Sequence, residues 1–309
     1  MKRLIKEVAR KLLPLKRVFL ERDALRDELQ KYKQFVPPGH YYSPIQSIDD
    51  IKSEEERIFH HIPENIPGIN LDGQSQLELL ATLAGYLDEM PFPEEKTEGL
   101  RYYFNNDLYS YCDAIVLYCM IRHLKPKKII EVGSGFSSCV IMDTNELFFD
   151  NSISCTFIEP YPDRLYSLID KGKNDNLTII EKRLQDTQLD LFLELHGNDI
   201  LFVDSTHVSK IDSDVNHLFF NIYPSLNRSV YIHIHDIFYP FEYPKEWIYE
   251  GRAWNEAYML SAFLMYNNSF EIVLFPSYLQ HFYSNKFYDY MPLCKQNPGG
   301  SFWMRKKMT

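Results

Sequence analysis

The 309-residue chain has no long apolar run. Charged residues interrupt each hydrophobic stretch before it reaches the roughly 20 residues that span a bilayer. No membrane-spanning segment is expected. The first residues show no signal-peptide core, because Lys and Arg break every apolar run there, and a cytoplasmic location is the expectation. Cysteine is scarce. Cys112, Cys119, Cys139, Cys155 and Cys294 are odd in number, scattered, and without CxxC spacing. That excludes a disulfide framework and a cysteine zinc site, and it fits a reducing compartment. Positive charge is also in deficit, with 33 Lys and Arg against 43 Asp and Glu. An acidic body disfavours nucleic acid as a partner. Internal repeats and low-complexity tracts are absent.

What is present is an ordinary globular composition, 45% hydrophobic and 25% charged, with 22 Tyr and 21 Phe. The one basic concentration is N-terminal. Residues 1–22 carry eight Lys or Arg against Glu7 and Glu21. Leu4, Ile5, Val8, Leu12, Leu15, Val18 and Phe19 recur at helical spacing there, which predicts a basic amphipathic helix over 1–36. Such a helix suits a second subunit, another partner or an anionic membrane surface. A mostly helical cover is expected over 37–125, with helices at Gln74–Met90 and Asp107–Leu124.

From residue 126 the pattern changes to alternating short apolar runs and helical stretches, which predicts a mostly parallel sheet. The first unit is KKIIEVGSGFSS, Lys127–Ser138. Ile129, Ile130 and Val132 form a strand buried on both faces. Gly133 and Gly135 suit a sharp turn where backbone approaches a ligand closely. Phe136–Phe149 is the following helix. Ligands of doubly wound sheets sit at the carboxyl ends of the strands, and four successive strands here end in polar residues. The second ends in Glu159, the third leads to Gln185, the fourth to Asp204 and His207, and the fifth to His235 and Asp236. A nicotinamide site normally shows GxGxxG, whereas Ser138 stands at the third glycine position, and Glu131 just before the turn disfavours a pyrophosphate.

Glu131-Val132-Gly133-Ser134-Gly135, then Glu159, then Asp204 resemble motifs I, II and IV of class I S-adenosylmethionine-dependent methyltransferases. The stretches Gly39–Pro44, His235–Trp247, Trp254-Asn255-Glu256 and the Gly-Gly-Ser-Phe-Trp segment near the C-terminus are similar to a bacterial branch linked to polysaccharide and natural-product pathways. The resemblance implies a Rossmann-like, doubly wound, seven-stranded sheet over 126–309 with an antiparallel C-terminal strand. It implies that Glu131 faces the methionine amino group, that Gly133, Ser134 and Gly135 lie under the cofactor, that Glu159 and Gln185 meet ribose and adenine, and that Asp204 borders the site. In catechol-type relatives the positions of Asp204 and Asp236 carry acidic magnesium ligands.

Methyl transfer is an in-line displacement that needs alignment and, for a hydroxyl acceptor, removal of a proton. His207 and His235 are both candidate bases. Asp204, Asp236 and His207 are candidate ligands for Mg²⁺ or, given the nitrogen donor, for Mn²⁺, Fe²⁺ or Zn²⁺. The expected acceptor is a hydroxyl of a small molecule or glycan precursor. N-methylation and non-catalytic binding are the alternatives. The aromatic run after Asp236 reads as a lid, with Tyr239, Tyr243, Trp247 and Trp254 stacking on the acceptor and Arg252 taking an acidic group. A homo-oligomer is expected.

Overall fold

The computed structural model describes residues 17–29, 33–169 and 176–307. The chain divides into two compact units, Met1–Ile58 and Phe59–Thr309. In the first, residues 17–29 are helical, with Val18, Leu20, Leu25 and Leu29 exposed and Arg17 paired with Glu21 at 2.9 Å. Of the rest of the predicted N-terminal helix, 1–16 and 30–32 lie outside the described residues, and 33–36 are not helical. Gly39–Ile45 closes on itself through a bond from Gly39 N–H to the Ile45 carbonyl at 2.9 Å. Tyr41 and Tyr42 are exposed and contact the His40 ring.

The second unit is built on one seven-stranded sheet. Its strands are β1 (Lys128–Val132), β2 (Ser154–Ile158), β3 (Leu177–Ile180), β4 (Ile200–Val203), β5 (Tyr231–Ile234), β6 (Phe270–Leu274) and β7 (Phe302–Lys306). They lie in the order β3-β2-β1-β4-β5-β7-β6. The first five are parallel, and β7 runs antiparallel to both β5 and β6. The chain leaves β1 towards β2 and later returns to β4 on its other side, which makes the β1/β4 junction the switch point where a crevice opens. Asp199 sets the opposite end of this junction, since its Oδ1 accepts the N–H groups of Lys127 and Lys128 at 2.9 Å.

Helices cover the sheet. They include α1 (Gly73–Ala84), α2 (Cys112–Leu124), α3 (Phe136–Phe149), α4 (Asp163–Leu168), α5 (Glu256–Leu264), α6 (Pro276–Phe282) and α7 (Ser284–Tyr290). All of α2 except Arg122 and His123 is buried, and it packs on α3. The domain boundary expected at residue 125 therefore falls inside one compact unit. The helix expected from Asp107 begins only at Cys112. Asn106 Oδ1 accepts the N–H groups of Leu108 and Tyr109, and Tyr111 has φ +40°, so the intervening residues form a turn. The helix expected to run to Met90 stops at Ala84, and a short 3₁₀ turn follows at Leu87–Glu89. The pattern over 276–290 did not predict α6 and α7. It is rich in Tyr and Phe, which have weak helix propensity, and the start signal is only Pro276 at the first helical position. Among the described residues no helix is long and apolar enough to cross a membrane.

Candidate active site

Two close approaches of backbone mark the carboxyl ends of β1 and β5. Gly133 ends β1 with φ +78°, and its N–H bonds the Ile158 carbonyl at 3.0 Å. A Cβ on Gly133 would lie 1.7 Å from the carbonyl oxygen of Asp204, so this position accepts only glycine. At the other side, Gly300 passes against Asp236, where a Cβ would stand 3.0 Å from the Asp236 Cα. Asp113 anchors that segment by accepting from Gly300 N–H at 3.0 Å and from the Ser301 hydroxyl at 2.7 Å.

Glu159 tethers the Gly-Ser-Gly turn. Its two carboxylate oxygens accept the N–H groups of Ser134 at 3.1 Å and Tyr161 at 2.8 Å. Each oxygen keeps a further lone pair for a ligand hydroxyl. Gly133, Ser134, Gly135, Glu159 and Asp204 line one cleft of about 230 Å³. Glu159, Gln185 and Asp204 line an adjoining one of about 570 Å³. Six of the seven residues expected at the cofactor thus converge, and Gln185 is held there by a bond to the Asp212 carbonyl.

Glu131 differs from the expectation. It lines neither cleft and is fully buried beneath the turn, where the Ser138 hydroxyl donates to its Oε2. Ser138 Oγ in turn accepts Gly135 N–H at 3.0 Å, which explains a serine where a nicotinamide site would have glycine. Burial pushes the Glu131 carboxyl up to about 8, against the hydrogen bond from Ser138 that lowers it. Its Oε1 and the hydroxyls of Ser134 and Ser205 have no partner among the described residues. Unpaired polar atoms around a glycine turn fit a ligand that carries its own polar groups.

The fourth and fifth strand ends meet in a second cluster. His207 Nε2 stands 3.4 Å from Asp204 Oδ1 and 3.6 Å from Asp236 Oδ2. These three donor atoms lie within 4.8 Å of one another. Ligands of one cation at about 2.1 Å stand about 3 Å apart, so little movement would close the set. His207 and Asp236 both have left-handed backbone, φ +59° and +57°, a strained state that clusters at functional sites.

Glu256, which went unrecognised in the sequence as a site residue, completes the arrangement. The His207 carbonyl accepts the N–H groups of Asn255 and Glu256 at 3.1 Å, which seats the start of α5 on His207. The fully buried Glu256 carboxylate then reaches His207 Nδ1 at 3.0 Å. This fixes the ring with Nε2 towards the two aspartates.

Burial by itself would discharge His207, but Asp204 and Glu256 outweigh it and push its pKa up to about 10. His235 behaves alike. Burial lowers its pKa, and Asp236 and Asp204 more than restore it. Burial raises the Asp236 carboxyl against the opposing effect of His235 and His207. Asp204 is held below its ordinary value, because His235 and His207 overcome its burial. Asp204, Asp236 and Glu256 around two histidines thus make the cluster electronegative. Glu256→Gln is expected to lower Mn²⁺ affinity about 10- to 100-fold, the usual effect of losing such a partner. Calorimetric titration would check it, and unchanged affinity would separate Glu256 from the cluster.

His233 is structural, fully buried and stacked on Phe202 at 4.1 Å. The lid expectation is corrected in part. Tyr239 is core, and its hydroxyl donates to the Pro63 carbonyl at 2.6 Å. Tyr243 is core as well, and its hydroxyl accepts Ala257 N–H at 3.0 Å. Trp254 does face the site, with its ring 4.4 Å from that of His207. Arg252 lies over Trp247 and Trp254 and pairs with Glu250.

A family model described as a methyltransferase domain matches residues 130–237, the span from β1 to just past β5. Residues 130–237 carry a methyltransferase domain of the class I S-adenosylmethionine-dependent type. An uncharacterised protein of Archaeoglobus fulgidus is 39% identical over 171 residues, covering 54% of this chain and 76% of that protein. Similar solved structures include the S-adenosylhomocysteine-bound methyltransferase PaMTH1 of Podospora anserina, with 16% identity, 89% of this chain and 99% of that one covered, and a TM-score of 0.42. Another is the O-methyltransferase TomG of Streptomyces achromogenes, with 11% identity, 84% and 96% covered, and a TM-score of 0.40. In this methyltransferase domain Gly133 and Glu159 line the crevice, and Asp204 belongs both to it and to the cluster with His207 and Asp236.

Proposed function

We propose that the chain transfers a methyl group from S-adenosylmethionine to a hydroxyl oxygen of a small molecule or glycan precursor, with a divalent cation held by Asp204, His207 and Asp236. The observation that carries this reading is the convergence of those three donors, one of which, Asp204, also floors the Gly133 turn with its backbone. The turn would seat the methionyl part, Glu159 would take the ribose hydroxyls, and Gln185 would meet the adenine. S-adenosylmethionine supplies a methyl group already activated on sulfur. A cation in the cluster would supply Lewis acidity that lowers the pKa of an acceptor hydroxyl.

The protein's own part is alignment and proton handling. Glu256 holds His207 in the ligating orientation. Trp254 forms a wall against which a flat or sugar acceptor packs. With both nitrogens of His207 facing carboxylates, His235 in its neutral form is the histidine left to receive the acceptor's proton, and Asp236, 3.5 Å from its Nε2, would stabilise the charge it gains. One nitrogen and two oxygens as donors favour Mn²⁺, Fe²⁺ or Zn²⁺ over Mg²⁺.

Titration calorimetry with S-adenosylhomocysteine and with Mn²⁺, followed by a methyl-transfer assay over catecholic and glycosyl hydroxyl acceptors, tests the reading. Binding of both ligands and loss of transfer on chelation are expected. Transfer that survives complete chelation would remove the cation and leave the histidine route.

A further inference from the structure

The cleft of about 230 Å³ contains one residue that neither the motifs nor the cluster accounts for, Arg164 on the first turn of α4. It follows β2, five residues beyond Glu159, and folds back over the glycine turn. A Cβ on Gly135 would lie 3.7 Å from Arg164 Cδ. The guanidinium is near enough to Asp204 to help hold that carboxyl below its ordinary value. Yet among the described residues no hydrogen bond or ion pair engages it. In an acidic protein, an arginine left unpaired beside Glu159 and Asp204 needs explaining. In the adjoining cleft, which Arg183 and Lys210 line, Arg183 is already paired with Asp186 and Asp212.

The ligand chemistry supplies the explanation. The methionyl end of S-adenosylmethionine carries a sulfonium, an ammonium and a carboxylate. The first two are cations and suit the Asp204 carboxylate. The carboxylate has to exchange water for donors, and Arg164 is the one cation lining this cleft among the described residues. The 14-residue α3 begins at the same place, and its first-turn N–H groups have no intrahelical partner.

We propose that Arg164 binds the free carboxylate of the cofactor's methionyl end, together with first-turn N–H groups of α3. The inference rests on the cofactor reading above. Arg164 is thereby a selectivity residue, which distinguishes the intact amino-acid tail from a decarboxylated one.

The test is titration calorimetry of the full chain and its Arg164→Ala and Arg164→Lys variants with two ligands. One is S-adenosylhomocysteine. The other is its decarboxylated analogue, S-adenosyl-3-thiopropylamine, which keeps the amine and adenosine but lacks the carboxylate. Arg164→Ala should weaken S-adenosylhomocysteine about 10- to 100-fold, the range for a hydrogen bond between charged groups. It should leave the analogue unchanged or bound more tightly, as a repelling cation has gone. Arg164→Lys should retain part of the affinity. Equal losses for both ligands, or no loss for either, would overturn the assignment while the cofactor site stands. A wild-type chain that binds neither ligand would overturn the cofactor reading and this inference together.

Discussion

Asp204→Asn combined with Asp236→Asn is expected to lower Mn²⁺ affinity by more than about 100-fold, the upper end of what an outer-shell partner costs, and to remove chelator-sensitive methyl transfer. Both carboxylates face His207 Nε2, at 3.4 and 3.6 Å, and the substitution leaves a single strong donor. The wild-type protein provides a second reading of the same site. Its His207 holds a proton up to about pH 10, because Asp204 and Glu256 offset burial. A cation at Nε2 has to displace that proton. Affinity should therefore rise with pH, about tenfold per unit below that value, and about one proton should be released per ion bound. Calorimetry in buffers of different ionisation enthalpy measures this directly. Affinity independent of pH would take His207 out of the ligand set.

Gly133→Ala should damage both stability and cofactor binding. The methyl group would fall 1.7 Å from the Asp204 carbonyl oxygen, on a residue whose φ of +78° already disfavours a side chain. Relief requires separating the ends of β1 and β4, which displaces Asp204 itself. A stability loss of about 3 kcal/mol or more is expected, with S-adenosylhomocysteine affinity lower by at least about 100-fold. Gly135→Ala is the comparison. Its φ of −173° is ordinary extended backbone, and its Cβ meets nothing closer than the Arg164 side chain. Urea unfolding of the two variants should separate them clearly. Equal costs would mean that the β1/β4 approach yields more easily than its geometry implies.

Much of this site was legible beforehand, and the reasons are local. Gly-Ser-Gly after an apolar run announces a strand-to-helix turn, because few residues other than glycine adopt positive φ without strain. Glu159, Asp204 and Asp236 follow runs of β-forming residues, and the carboxyl ends of parallel strands share one rim. Phe136–Phe149 and Leu177–Ile180 formed as expected. The errors fell where nonlocal contacts override local pattern. The start of α2 was misplaced because Asn106 and Tyr111 build a turn inside a stretch with helical periodicity. Tyr239 and Tyr243 looked like acceptor contacts, and their hydroxyls proved to be committed to Pro63 and Ala257.

By itself the sequence determined the chain's class, the order of its strands' polar ends, and the residues that gather at the crevice. These follow from short-range periodicity and from the chemistry of each turn. Only the tertiary structure decided how those residues divide the work. It placed Glu131 under the turn and out of the clefts. It brought Glu256 to His207 across forty-nine positions and set the Arg164 side chain over Gly135. Those relations depend on how β4, α4 and α5 pack, and packing is set by the whole chain and by no single stretch of it.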